Sequence, residues 1–169
     1  MAPKTKQRSS VPPMTIENAK IIYRNFSGAA KKFNAKGLRN FHIVLEPDLA
    51  KVVERDGWNV RWHDPREEGD MPWASIKVAL RFDNYPPRIV MVTADTKTTL
   101  DEESVDILDW AEIEKVDLVL SPSSWEVNGK QGIKAYLRKM FVTLNEDELE
   151  VKYRTVTKDS DRDSEEDGD

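Results

Sequence analysis

The sequence of 169 residues holds no cysteine and only two histidines, His42 and His63. Without cysteine there is neither a disulfide framework nor a thiolate metal site. A zinc site would have to lean on carboxylates, which zinc sites rarely do. No apolar run approaches the ~18 residues of a membrane-spanning helix, and the N-terminus lacks the apolar segment of a secretory signal. A phosphate-binding loop, a nucleophile elbow, a dinucleotide glycine pattern and a histidine-based triad are all missing. These absences point away from an enzyme, a cofactor, a metal and a membrane, and towards an intracellular protein.

What is present is charge, unevenly placed. Hydrophobic content is 38% and charged content 34%, with a formal net charge of -5. Residues 157–169, "TKDSDRDSEEDGD", carry seven acids against two bases, so residues 1–156 are neutral. This tail is too polar to bury anything and is expected to be disordered. Residues 1–14, "MAPKTKQRSSVPPM", carry Lys4, Lys6, Arg8 and three prolines, and read as a basic, disordered arm. That leaves residues 15–156 as one folded domain.

The dominant signal within the domain is β. Short β-branched and aromatic runs recur: "AKIIYRNF", "FHIVLE", "WNVRW", "ASIKVALRF", "RIVMVT", "VDLVLSP" and "IKAYLRKMFVTL". Asn128-Gly129 is a turn signal between the last two. Two segments have helical spacing instead. "PDLAKVVERDGW" would bury Leu49, Val52 and Val53 and end at Gly57. "LDEESVDILDWAEI" places acids in its first turn and would bury Val105, Leu108 and Trp110 or Ala111. Six or seven short strands with two short helical insertions predict a small β-barrel, closed or partly open, and the oligonucleotide-binding (OB) fold is the commonest of that kind.

Two blocks suggest chemistry. Asn18–Leu45 holds Lys20, Arg24, Lys31, Lys32, Lys36 and Arg39 and no acid, with Tyr23, Phe26, Phe33 and Phe41 threaded through it. Val127–Asn145 holds Lys130, Lys134, Arg138 and Lys139, again without an acid, and alternation puts Lys134, Tyr136 and Arg138 on one strand face. Cations without acids suit a phosphate backbone, and interleaved rings suit unpaired bases. The bland alternative is a pair of strands with solvated outer faces, Phe26 and Phe41 being core. Of five tryptophans, most should be core; Trp62 lies next to Arg61 and is a candidate stacking ring. The acid clusters "DPREEGD" and "DEESVDILD" fit a solvated loop and helix capping better than catalysis.

The order of "RNFSG", "DGWNVRW", "LDEESVDILDWAEI", "VNGKQGIKAYL" and "LNEDELEVKY" over residues 16–153 resembles bacteriophage single-stranded DNA-binding proteins. The resemblance implies an OB-fold barrel that coats single-stranded DNA with little sequence preference in phage replication or recombination, in the host cytoplasm. It also implies an acidic C-terminus that modulates binding and recruits replication or recombination proteins, and it leaves homo-oligomerisation open. Many such tails end in an aromatic residue, whereas this one ends Asp167-Gly168-Asp169. Lys20, Tyr23, Arg24, Lys31, Lys32, Phe33, Lys36, Arg39, Arg61, Trp62, Lys130, Lys134, Tyr136 and Arg138 are the expected DNA-binding residues. The competing reading is a non-enzymatic protein-interaction module that docks on a host or phage replication protein through its charged blocks. A metal-dependent nuclease using the carboxylate clusters is a third.

Overall fold

The computed structural model describes residues 11–145 apart from 33 and 84, so the disorder expected of the acidic tail and of most of the basic arm lies outside the described residues. Nine strands form one sheet. They are β1 (Met14–Ile16), β2 (Lys20–Asn25), β3 (Arg39–Leu45), β4 (Val60–His63), β5 (Trp73–Leu80), β6 (Arg88–Val92), β7 (Lys97–Leu100), β8 (Ile113–Val127) and β9 (Lys130–Leu144). Met14, expected to end the arm, instead opens β1 and pairs with Leu120.

The main path runs β1-β8-β9-β5-β3-β2. The central strand β5 pairs antiparallel with β3 along one edge. Its other pairings are shared between β4, antiparallel over Trp73–Ile76, and β9, parallel at Val78 and Ala79. Further along, β9 pairs parallel with β6, which pairs with β7.

Of the closed or partly open barrel expected, the closed form is not found: the sheet does not close. Among the described residues no ladder joins β2 to β1 or β8. The gap is crossed by the Ala19 N–H to Val116 C=O bond (2.7 Å) and by the Asn18 N–H to the Asp117 carboxylate (2.8 Å). The helical expectation is also corrected. Among the described residues one α-helix, α1 (Pro47–Arg55), is present, and the second segment forms only a five-residue 3-10 turn, Val105–Asp109. Its start is held by Asp101, whose carboxylate accepts from the backbone N–H groups of Glu103 and Ser104 and from the Ser104 hydroxyl. A side chain that binds the N–H groups two and three residues on holds a local turn at Asp101–Ser104 in place of a further turn of helix.

Alternation sets the core. Phe41, Ile43 and Leu45 of β3 and Ala74, Ile76, Val78 and Leu80 of β5 are buried on one face. Leu118 and Leu120 of β8 and Ile133, Ala135 and Leu137 of β9 join the same cluster, so the sheet bends round a single core. Phe26 and Phe41 are fully buried and stacked, centroids 5.1 Å apart; both belong to the core. On α1 the buried positions are Ala50 and Val53, whereas Leu49 and Val52 are exposed. Gly57 follows the C-cap with φ +104°, the left-handed position expected of it. Asn128 and Gly129 both have positive φ, as a tight two-residue hairpin turn requires, and they join the long β8–β9 hairpin.

Candidate nucleic-acid interface

The face of the sheet opposite the core is read from its registers. His42 of β3 lies opposite Ile22 of β2 and Lys77 of β5. One step along β5 from its parallel pairing with β9, Lys77 falls on the side of Lys134, which faces Ser123 of β8. A second row runs Asn40, Ala79, Tyr136, Ser121. On β4, Arg61 pairs with Ser75 and His63 with Trp73 on this same side. The strand positions on this face therefore offer Lys20, Arg61, Lys77 and Lys134 as exposed cations, on strands β2, β4, β5 and β9 that hold no acid; β8 adds one acid to the face, Asp117, between buried Val116 and Leu118 and paired with Lys115 (3.6 Å). Tyr23, Trp73, Trp125 and Tyr136 supply rings.

Tyr23 reaches this face because of a bulge. The β2–β3 register shifts between Ile22 and Asn25, and Tyr23 has φ +51°. Strict alternation would put Arg24 with Lys20 and turn Tyr23 away; the extra residue exchanges them. Tyr23 stands edge-on to His42, centroids 5.2 Å apart. Arg24 turns to the other side and donates to the carbonyls of Leu108 (3.0 Å) and Ala111 (2.7 Å). It ties β2 to the 3-10 turn and is occupied structurally.

A groove of about 410 Å³ lies where the two sequence blocks meet. Gly37, Leu38, Arg39 and Asn40 form one side, Lys134 and Tyr136 the other, and Lys77, Ala79 and Arg81 of the β5 segment the floor. Lys134 Nζ sits 5.0 Å from the centre of the Tyr136 ring. Arg81 pairs with Asp83 (3.0 Å), and this bond, with a further one to Tyr136, holds its guanidinium more firmly protonated than usual. Arg39 donates to the Phe26 carbonyl (2.6 Å), lies over the Phe82 ring and approaches exposed Glu102 (3.8 Å), so it braces the wall.

The other expected residues divide. Lys31, Lys32 and Lys36 are exposed on the loop beside the groove, whose shape rests on Asn34: its amide donates to the carbonyls of Ala29, Ala35 and Leu38. Phe33 lies outside the described residues. Lys130 stands at the exposed tip of the hairpin. Arg138 is the extra residue where the β8–β9 register shifts, so it leaves the simple alternation with Tyr136. Trp62 is on the opposite face from Arg61; its indole N–H donates to Glu54 of α1 (3.1 Å).

Sequence reasoning gave no binding role to Lys77, Arg81, His42 or His63, and it left open which of the five tryptophans, Trp73 and Trp125 among them, would stack on bases. Only Trp58 of the five tryptophans is buried in the core. Trp125 is 37% exposed and lies against Gly132 across the hairpin: a Cβ there would stand 2.5 Å from its ring. Trp73 stacks on His63, centroids 3.9 Å apart. The signal available for these was the period-two pattern of "ASIKVALRF", which sets Lys77 apart from Ile76 and Val78.

A larger cavity of about 660 Å³ opens at the gap beside β2. It mixes Lys20, Arg24 and Lys115 with Glu112 and Glu114; the smaller groove also has acids in its wall, Asp83 and Glu102, but there each stands against an arginine, Arg81 and Arg39. Among the described residues no group of three or more acidic or histidine side chains is placed to hold a metal ion.

Residues 3–167 match the sequence profile of the family described as "Putative phage ssDNA-binding domain". The chain belongs to this family. The phage ssDNA-binding domain also has solved structural neighbours. The single-stranded DNA-binding protein from bacteriophage Enc34 superposes with a TM-score of 0.53 at 12% identity, over 86% of this chain and 89% of that one. Its complex with ssDNA gives a TM-score of 0.51 at 11% identity, over 86% and 95%. These likenesses concern the fold. No curated protein matches the chain.

Proposed function

We propose that this phage ssDNA-binding domain coats single-stranded DNA, with little sequence preference, during phage DNA replication or recombination, laying the strand across the face from Tyr23 to Trp125. The observation that carries the reading is that face: four exposed cations on β2, β4, β5 and β9, strands that hold no acid, with several rings beside them. Cations and rings of this kind contact phosphates and base planes, which every nucleotide offers whatever its base. Membership of the family supports the ligand class, and the Enc34 protein of similar fold is described in complex with ssDNA. The fold is then a partly open relative of the OB barrel. The acidic tail would modulate binding and recruit replication or recombination partners, and the working compartment is the host cytoplasm.

The test is a tryptophan-fluorescence titration with oligo-dT across a salt series. The expected result is quenching, with log affinity falling by ~0.7 per neutralised phosphate for each unit of log salt. A duplex of equal length should bind more weakly, because its stacked bases offer no free faces. Absence of homopolymer binding at low salt would overturn the proposal in favour of a protein-docking module.

A further inference from the structure

Both histidines of the chain, distant in sequence, converge on one buried serine in the middle of this face. His63 Nε2 lies 2.8 Å from Ser75 Oγ and His42 Nδ1 lies 3.4 Å from it. Ser75 is fully buried and His42 nearly so. The groups around His42 come from every neighbouring strand. Tyr23 of β2 stands edge-on above it, Lys77 of β5 is its cross-strand partner, and Arg61 of β4 is the cross-strand partner of Ser75. Lys20 lies one pair along β2, and Lys134 of β9 follows beyond Lys77. No acid of these strands faces the cluster. A buried imidazole among cations is an unusual choice for stability alone, because its protonated form gains no partner there.

Resting on the single-strand reading above, we propose that Arg61 and Lys77, with the His42–Ser75–His63 cluster beneath them, form a phosphodiester subsite in which His42 takes up a proton when the phosphate arrives. The exposed Arg61 and Lys77 make the direct contact. Their charges then face the phosphate instead of acting uncompensated on the ring below. In the free protein, burial and the charges of Arg61, Lys77 and His63 hold His42 down from its ordinary 6.5 to about 4. An anion over the subsite opposes the last three of these causes and draws the value back up. With His63 neutral, the hydrogen-bond chain can accommodate the added proton: His42 Nδ1–H donates to Ser75 Oγ, and the Ser75 hydroxyl donates to His63 Nε2. Binding and protonation are then reciprocal, so acid must tighten binding.

The experiment measures oligo-dT affinity of the full chain at pH 7.5 and pH 5.0 at constant salt. Thymine has no site that protonates in this range, so the ligand itself contributes no slope. If the ring returns to near its ordinary value, affinity should rise on the order of ten-fold between the two. His42→Gln should reduce that rise to less than about two-fold. The imidazole proton resonances, only two in this chain, are followed against pH in parallel, so the outcome does not depend on the variant folding. The His42 resonance should titrate at clearly higher pH with oligo-dT present than without. Salt-sensitive oligo-dT binding with equal affinity at both pH values, and an unmoved His42 titration, would overturn the subsite while leaving the single-strand reading intact. No binding at either pH would overturn both.

Discussion

Individual side chains on this protein separate into those that hold the sheet and those that face outward. Arg24 is the clearest case. Its two bonds to main-chain carbonyls are charge-assisted, so Arg24→Ala should cost on the order of 1.5–3 kcal/mol of stability in a urea melt. The salt slope of DNA binding should stay as it was; a lower slope would place this guanidinium on the strand path instead. Trp125→Ala should do the opposite. A ring 37% exposed on the binding face is worth ~1–3 kcal/mol as a stacking platform, while the melting temperature should move little. Unchanged oligo-dT affinity would remove Trp125 from the path. His42 also makes stability depend on pH. Its folded value of about 4 is below its ordinary 6.5, so the unfolded chain binds more protons between the two. Its contribution is complete above the ordinary value and is lost as pH falls through that window. Urea midpoints at pH 7 and pH 4.5 should therefore differ more for the parent than for His42→Gln.

At the scale of elements, irregularities decide what reaches the face. The bulge at Tyr23 and the register shift at Arg138 each break a strict alternation, one bringing a ring into the row and the other taking a cation out of it. The Lys31–Lys36 loop is the element most open to test. Its closure depends on Asn34 and on the close approach of Gly28 to Gly37, where a Cβ on Gly28 would stand 3.2 Å from Gly37 backbone atoms. Changing Lys31, Lys32 and Lys36 to Ala should therefore preserve the fold. If these lysines neutralise phosphates, the salt slope should fall by ~0.7 for each phosphate left without its cation. An unchanged slope in a normally folded variant would confine the path to the strands.

At the scale of the whole molecule, the net charge of -5 belongs to residues 157–169, and the body that carries the basic face is neutral. A tethered acidic segment competes with DNA at high effective concentration. Shortening the chain after Thr157 should tighten oligo-dT binding at low salt. The gain should shrink with added salt, as the Debye length falls from ~30 Å at 0.01 M to ~10 Å at 0.1 M. Affinity that is flat across the series, with a greater tendency to aggregate, would reduce the tail to a solubilising role.

Local periodicity was enough to determine most strands, the Asn128-Gly129 turn, the Gly57 helix end and the inward set Ile133, Ala135 and Leu137, because each depends on a few neighbouring residues. The acid-free character of both basic blocks was equally plain. Tertiary pairing decided the rest. The two blocks meet only because β5 lies between β3 and β9, and β5 brings Lys77 that neither block contains. Bulges, being single-residue insertions in a ladder, leave no mark on composition, so Tyr23 and Arg24 could not be assigned to faces beforehand. The convergence of His42 and His63 on Ser75 comes from three strands and long-range register, and spacing along the chain carries no trace of it.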